Sequence, residues 1–188
     1  MPSDTSERGL ERLTCTALTG SPCDPDTAHT DAVRERSASY GAGWVCSAPE
    51  SYDREYCVDL VQLSAFLRAT QPDTSEALDL GQDGPTRRKF LARLQGEISK
   101  RGTIDVLRRG LKHGPHHLDL FYGTPSPGNA KAAELNRANR FSVTRQLRYS
   151  RDETQLALDL GLFINGLPVA TFELKNSLTK QTVADAIQ

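Results

Sequence analysis

Apolar residues recur at helical spacing in several stretches of the chain. The first stretch is residues 6–18, where Ser6 stands in position to cap the opening turn. The same spacing predicts longer helices over residues 53–69 and 85–100, and a shorter helix over residues 130–137. These helices account for most of the periodic apolar positions in the first three quarters of the chain.

The last fifty residues change to a strand pattern. Apolar positions alternate over residues 141–149, and residues 156–164 and 167–174 are almost continuously apolar. Asn165-Gly166 between the last two runs is a strong signal for a hairpin turn, and a helix is predicted to begin near Thr179. Shorter strands are predicted over residues 106–107 and 117–122. This order of elements predicts an α/β fold, a mixed β-sheet flanked by helices.

Length and composition indicate one globular domain spanning residues 1–188, with 37% apolar and 25% charged residues. Residues 19–50 are rich in small and polar residues and are predicted to be an irregular insertion. No run reaches the roughly 18–20 apolar residues of a membrane span. The N-terminus lacks a basic segment followed by an apolar run, so we expect a cytoplasmic protein without membrane contact.

The four cysteines are Cys15, Cys23, Cys46 and Cys57. Their spacing matches neither a zinc ribbon nor a redox pair. In a cytoplasmic chain they are expected to be reduced thiols, partly buried.

Charge is distributed unevenly along the chain. Residues 1–85 hold fifteen acids and six bases, whereas residues 86–188 hold nine acids and seventeen bases. The bases concentrate in residues 87–112, and again in residues 137–151, where five arginines occur without an acid. Such concentrations suit a polyanion such as nucleic acid. The alternative is a pair of solvated, charged helix faces.

Three residues in the predicted strands carry candidate chemistry. Asp159 interrupts an apolar run, and a carboxylate there is costly unless something compensates its charge. Glu173 and Lys175 lie two apart, hence on one face of the next strand. Two converging carboxylates suit Mg²⁺, and a lysine beside them could orient a water or stabilise charge on a phosphate. The alternative is a cross-strand salt bridge at the edge of the sheet.

The segments around these residues resemble the N-terminal nuclease domain of the restriction subunit of type I restriction–modification enzymes. The resemblance lies in several separated motifs that occur in order: residues 70–72 (TQP), 101–108 (RGTIDVLR), 141–146 (FSVTRQ), 158–160 (LDL), 163–168 (FINGLP) and 171–176 (TFELKN). It covers most of the chain from about Asp53 onward, together with the first helix.

The resemblance implies a PD-(D/E)xK nuclease fold and assigns roles to individual residues. Asp159, Glu173 and Lys175 would be the catalytic set, with Asp159 and Glu173 holding Mg²⁺. A glutamate on the first helix often assists in this family, and Glu11 is the best match here, with Glu7 the second choice.

Expected DNA contacts come from the basic strand and from the helix that follows the motif. Arg145, Gln146 and Arg148 would lie near the scissile phosphate, and the later helix would supply Gln181, or alternatively Gln188. Contacts to the phosphate backbone carry no sequence information, so binding is expected to be non-specific.

The implied function is a Mg²⁺-dependent endonuclease domain that cuts double-stranded DNA after a motor delivers it. The chain has no G-x-x-x-x-G-K-[S/T] loop, so ATP would serve only the motor of a larger parent subunit. Methylation and specificity subunits would complete the complex. Two alternatives are a catalytically silent DNA-binding or docking module of the same fold, and a repair or junction-resolving nuclease of that fold.

Overall fold

The computed structural model describes residues 6–24, 42–152 and 156–175. The described residues belong to two compact units. Unit 1 draws on Met1–Glu50, Ser142–Leu162 and Ala170–Gln188, and unit 2 consists of Ser51–Phe141 and Phe163–Val169.

The described part of the chain is mixed α/β. Its helices are α1 (Glu7–Thr19), α2 (Leu60–Thr70), α3 (Pro72–Leu78), α4 (Pro85–Arg101), α5 (Thr103–Arg109) and α6 (Ala130–Arg137). Its strands are β1 (Val45–Cys46), β2 (Tyr52–Asp53), β3 (Val58–Asp59), β4 (Leu111–His113), β5 (His116–Leu118), β6 (Phe141–Arg148), β7 (Ala157–Ile164) and β8 (Leu167–Phe172). No helix among the described residues is both long and apolar enough to cross a bilayer.

The main sheet has the strand order β1-β6-β7-β8. Strand β1 runs parallel to β6, with Val45 opposite Ser142. The two-residue turn between β7 and β8 makes them an antiparallel hairpin, so the sheet is mixed, as the sequence predicted. The short strand β1 lies inside the segment that was predicted to be irregular.

The hairpin turn forms as predicted because its two residues accept the left-handed backbone conformation. Asn165 has φ +51° and Gly166 has φ +83°. A Cβ on Gly166 would lie 2.6 Å from the Cβ of Leu63, so only glycine fits there. The buried Asn165 side chain donates to the Leu120 carbonyl and accepts from the Arg140 N–H, which ties the turn into unit 2.

Unit 1 contains α1, whose start and end follow the sequence signals. The Ser6 hydroxyl accepts a hydrogen bond from Gly9 N at 3.0 Å, and Gly20 ends the helix with φ +76°. The buried face of α1 contributes Cys15 to a small core that includes Val143 and Leu160. This packing fixes which side of α1 lies inside the unit.

Unit 2 holds the larger core. Phe66 of α2 and Phe90 of α4 are fully buried within it, and the same core includes Leu118 at the end of β5. Strand β5 ends there, four residues before the predicted end at residue 122.

Three elements of unit 2 differ from the prediction. Residues 53–59 are not helical, because Asp53 Oδ1 accepts from the backbone N–H groups of Glu55 and Tyr56 in a turn, and α2 begins only after Asp59. The strand predicted at residues 106–107 is instead part of helix α5. Gly102, at φ +82°, separates α4 from α5.

The third difference is helix α3, which the sequence did not predict. It starts at Pro72, directly after α2 ends, and proline suits a first helical position.

The prediction that all four cysteines are reduced is wrong for two of them. Cys23 and Cys46 form a disulfide with their Cα atoms 5.4 Å apart. The Thr19 hydroxyl lies 3.6 Å from the Cys23 sulfur and 3.4 Å from the Cys46 sulfur. Spacing could not reveal this pair, because the fold alone brings the segment after α1, which contains Cys23, next to strand β1. Cys15 and Cys57 are free thiols, and burial raises the pKa of the Cys15 thiol to about 11.

Removing this disulfide is expected to lower the free energy of unfolding of unit 1. The bond joins residues 23 apart in sequence, and closing a loop of that size is worth about 3 kcal/mol. Urea unfolding of a Cys23→Ser/Cys46→Ser variant against the oxidised wild type measures the loss. A reducing agent should destabilise the wild type and leave the double variant unchanged; equal midpoints throughout would contradict the expected role of the bond.

Candidate active site

Asp159 lies in β7 with both carboxylate oxygens engaged by donors of unit 1. Oδ2 accepts from the Leu174 backbone N–H at 2.5 Å, and Oδ1 lies 3.5 Å from Gln146 Nε2. Charge on a half-buried carboxylate is tolerated when hydrogen bonds compensate it. The bond to Leu174 also places the residues after β8 directly beside Asp159.

Glu173 and Lys175 flank Leu174, just beyond the end of β8. Lys175 Nζ donates to Glu173 Oε1 at 3.0 Å, and the two side chains are 28% and 46% exposed respectively. The hydrogen bond with Glu173 raises the pKa of Lys175, and the charges of Glu7 and Asp159 add to the effect. A cation and two carboxylates thus gather at one place on unit 1.

Glu11 approaches the same place from α1. Its side chain is almost wholly buried, and Oε1 accepts from Gln146 Nε2 at 2.9 Å. The Gln146 carboxamide therefore stands between Glu11 and Asp159. Gln146 has φ +50°, an uncommon value for a residue with a side chain.

Arg145 binds the second carboxylate oxygen of Glu11, Oε2. Its Nε and Nη2 lie 3.1 and 3.0 Å from Glu11 Oε2, and its Nη1 donates to Asp24 Oδ1 at 2.7 Å and to the Pro22 carbonyl at 2.9 Å. Burial lowers the pKa of Arg145, but the hydrogen bonds with Asp24 and Glu11 outweigh it and raise the pKa overall. The Arg145 side chain is only 11% exposed.

The remaining residues with a predicted role in DNA binding differ in placement. Arg148 is exposed at the end of β6. Gln181 and Gln188 lie outside the described residues. In the basic segment 87–112, arginines form ion pairs with acids on the same surface: Arg87 and Arg88 with Asp83, Arg93 and Arg101 with Glu97, and Arg101 and Arg109 with Asp105. These ion pairs are what the alternative interpretation of this segment, a solvated and charged helix face instead of a nucleic-acid contact, would produce.

The donor chemistry fits Mg²⁺ better than a softer metal. No group of three or more His, Cys, Asp or Glu side chains able to hold a metal occurs among the described residues. Mg²⁺ commonly takes one or two carboxylates and completes its shell with water and substrate phosphate oxygens. Asp159 and Glu173 could serve as such a pair.

Sequence reasoning missed the role of Asp24 and the Pro22 carbonyl. Both belong to the segment that was predicted to be irregular, and no motif marks them. Only the fold shows that this segment reaches the arginine of β6.

A half-buried aspartate in one strand, with a Glu-Lys pair at the end of the next, defines an acidic site on a mixed α/β fold. Residues 118–188 match the family model described as the type I restriction enzyme R protein N terminus. The resemblance seen in the sequence motifs is therefore confirmed over this part of the chain, which contains Asp159, Glu173 and Lys175.

The chain also has a low-identity similarity to a curated protein. The chain is 25% identical over 123 residues to DNA polymerase III subunit tau of Escherichia coli (strain K12), a match covering 60% of this chain and 19% of that protein. At that identity and coverage the similarity carries no argument about function. No solved structure matches the chain significantly.

Proposed function

We propose that this chain is the Mg²⁺-dependent endonuclease domain of a type I restriction enzyme R subunit, with a PD-(D/E)xK fold. The observation that carries the proposal is the hydrogen bond from Leu174 N to Asp159, which joins the strand aspartate to the Glu173–Lys175 segment. The family match over residues 118–188 includes all three side chains.

The substrate in this proposal is double-stranded DNA, cut without base recognition by this chain. Asp159 and Glu173 would hold the metal, which when bound activates water and neutralises phosphate charge. Lys175 would stabilise negative charge developing on the scissile phosphate. Exposed Arg148 would contact the neighbouring backbone.

The parent enzyme would supply what this chain lacks. ATP would be hydrolysed by a motor elsewhere in the R subunit, and sequence recognition would reside with the specificity and methylation subunits. The chain alone is therefore expected to bind DNA weakly and to cut it slowly.

Thermal unfolding with and without millimolar Mg²⁺ tests the metal site. A ligand that binds only the folded chain at ten times its Kd adds about 1.4 kcal/mol of stability. The wild type should gain this stability and Asp159→Asn should not, although asparagine keeps an oxygen that can accept from Leu174 N.

Asp152→Asn, which alters an exposed carboxylate of the same unit, is the matched control and should respond like the wild type. Equal stabilisation of all three proteins would contradict the metal site. No stabilisation of the wild type would favour the catalytically silent docking module instead.

A further inference from the structure

We infer that Arg145 is a positioning residue of the Asp159 site, acting through Glu11 and Gln146, and that it does not contact DNA. This inference rests on the proposed function, because it concerns how the metal-binding carboxylate is held. It changes the role that sequence reasoning gave to Arg145, and it makes Gln146 a partner of Glu11 and Asp159 instead of a DNA contact.

The donors of Arg145 are already used inside unit 1. Three of its nitrogens contact Glu11, Asp24 and the Pro22 carbonyl, at 2.7 to 3.1 Å. A guanidinium has five N–H donors in a rigid fork, and this arrangement occupies most of them. Because the side chain is also only 11% exposed, a DNA phosphate could reach it only by displacing a carboxylate.

Arg148, on the same strand, is placed where its side chain is available to a phosphate. It lies three residues further along β6, it is exposed, and its side chain makes no hydrogen bond or ion pair within the described part of the chain. The two arginines of one strand therefore differ in environment, although the sequence places them in one basic stretch.

Gln146 connects Glu11 to Asp159 through its side-chain amide. A single nitrogen, Nε2, lies 2.9 Å from Glu11 Oε1 and 3.5 Å from Asp159 Oδ1. An amide nitrogen carries two hydrogens, so it can donate to both carboxylates at once. The left-handed backbone of Gln146 is strained, and such strain persists where the surroundings hold it, most often at functional sites.

Together these hydrogen bonds form a continuous chain of contacts from Asp24 to Asp159. Arg145 compensates the buried Glu11 carboxylate, Glu11 anchors the Gln146 amide, and the amide orients Asp159. Partners that orient a metal ligand typically change metal affinity about 10- to 100-fold when they are removed. Non-specific DNA affinity, by contrast, depends on exposed cations.

The test compares divalent-cation affinity with DNA affinity in the same variants. Isothermal titration with Mg²⁺ alone gives the first, and fluorescence anisotropy with a labelled duplex of arbitrary sequence, in buffer without divalent cations, gives the second. Arg145→Lys keeps the charge but cannot bridge Glu11 and Asp24 as a fork does. Gln146→Ala removes an exposed side chain and should leave the fold intact, so the test remains valid if Arg145→Lys fails to fold.

Arg145→Lys and Gln146→Ala are expected to weaken Mg²⁺ binding about 10-fold or more, with DNA affinity within about two-fold of the wild type. Arg148→Ala, the matched control, should show the reverse. Weaker DNA binding by Arg145→Lys with unchanged Mg²⁺ affinity would overturn the inference and restore the phosphate contact. Wild-type Mg²⁺ binding that neither variant alters would overturn the positioning role alone, whereas absence of Mg²⁺ binding in the wild type would overturn the proposed function as well.

Discussion

Replacing Lys175 by alanine is expected to abolish DNA cleavage by the assembled restriction enzyme while the domain stays folded. The ammonium lies next to Glu173 and within the field of Asp159, so it stands where phosphate charge would develop. Removing one group that stabilises a transition state typically slows a reaction about 100- to 1000-fold. The rate of plasmid linearisation by the reconstituted enzyme measures the effect.

Two comparisons make this result specific. Lys112→Ala removes an exposed lysine of β4 in unit 2 and should cleave like the wild type. Lys175→Ala should unfold at a temperature close to that of the wild type, since its ion pair with Glu173 is exposed and such pairs add little stability. Normal cleavage by folded Lys175→Ala would remove Lys175 from the mechanism.

The sequence predicted secondary structure best where the apolar periodicity agrees with a local motif such as a turn dipeptide. Helix α6 and strands β6 and β7 lie within one residue of their predicted bounds, and Asn165-Gly166 makes the predicted turn. Strand β8 starts as predicted but ends at Phe172, two residues early, so Glu173 lies just beyond the strand instead of on it. The signals that predict these elements lie in neighbouring residues. Asp159 stood out for the same reason, as a charge within an apolar strand.

What the sequence did not predict depends on contacts between distant segments. Asp53 accepts a backbone hydrogen bond that makes a turn, although the apolar spacing there is still that of a helix. Apolar spacing gives no information about such a side-chain hydrogen bond. The Cys23–Cys46 disulfide and the pairing of Arg145 with Asp24 join parts of the chain 23 and 121 residues apart. A basic stretch likewise does not reveal which of its arginines is buried.

The family match covers only part of the candidate site, and the rest is supported by the structure alone. The match begins at residue 118 and includes Asp159, Glu173 and Lys175, but neither α1 nor the segment with Asp24. The contribution of Glu11 therefore rests on its buried contacts with Arg145 and Gln146. The stability of Arg145 variants tests that contribution without any metal or DNA.

Arg145→Met is expected to lower the free energy of unfolding by about 3 kcal/mol, because it leaves the buried Glu11 carboxylate without its cation. Methionine keeps much of the side-chain volume, so the loss reports charge compensation more than packing. Glu11 is 4% and Asp24 33% exposed at their side chains, so most of the penalty should come from Glu11. Urea unfolding at pH 7 without divalent cations measures it.

The double variant Glu11→Gln/Arg145→Met decides whether the penalty is that of an unpaired charge. Neutralising Glu11 removes the carboxylate that Arg145 compensated, so the double variant should be more stable than Arg145→Met alone, a coupling expected only of residues in contact. Arg148→Met, on the exposed end of the same strand, should change stability by less than about 0.5 kcal/mol. If Arg145→Met proves as harmless as Arg148→Met, then Arg145 is not the counter-charge of Glu11, and the chain of contacts from Asp24 to Asp159 does not hold the site together.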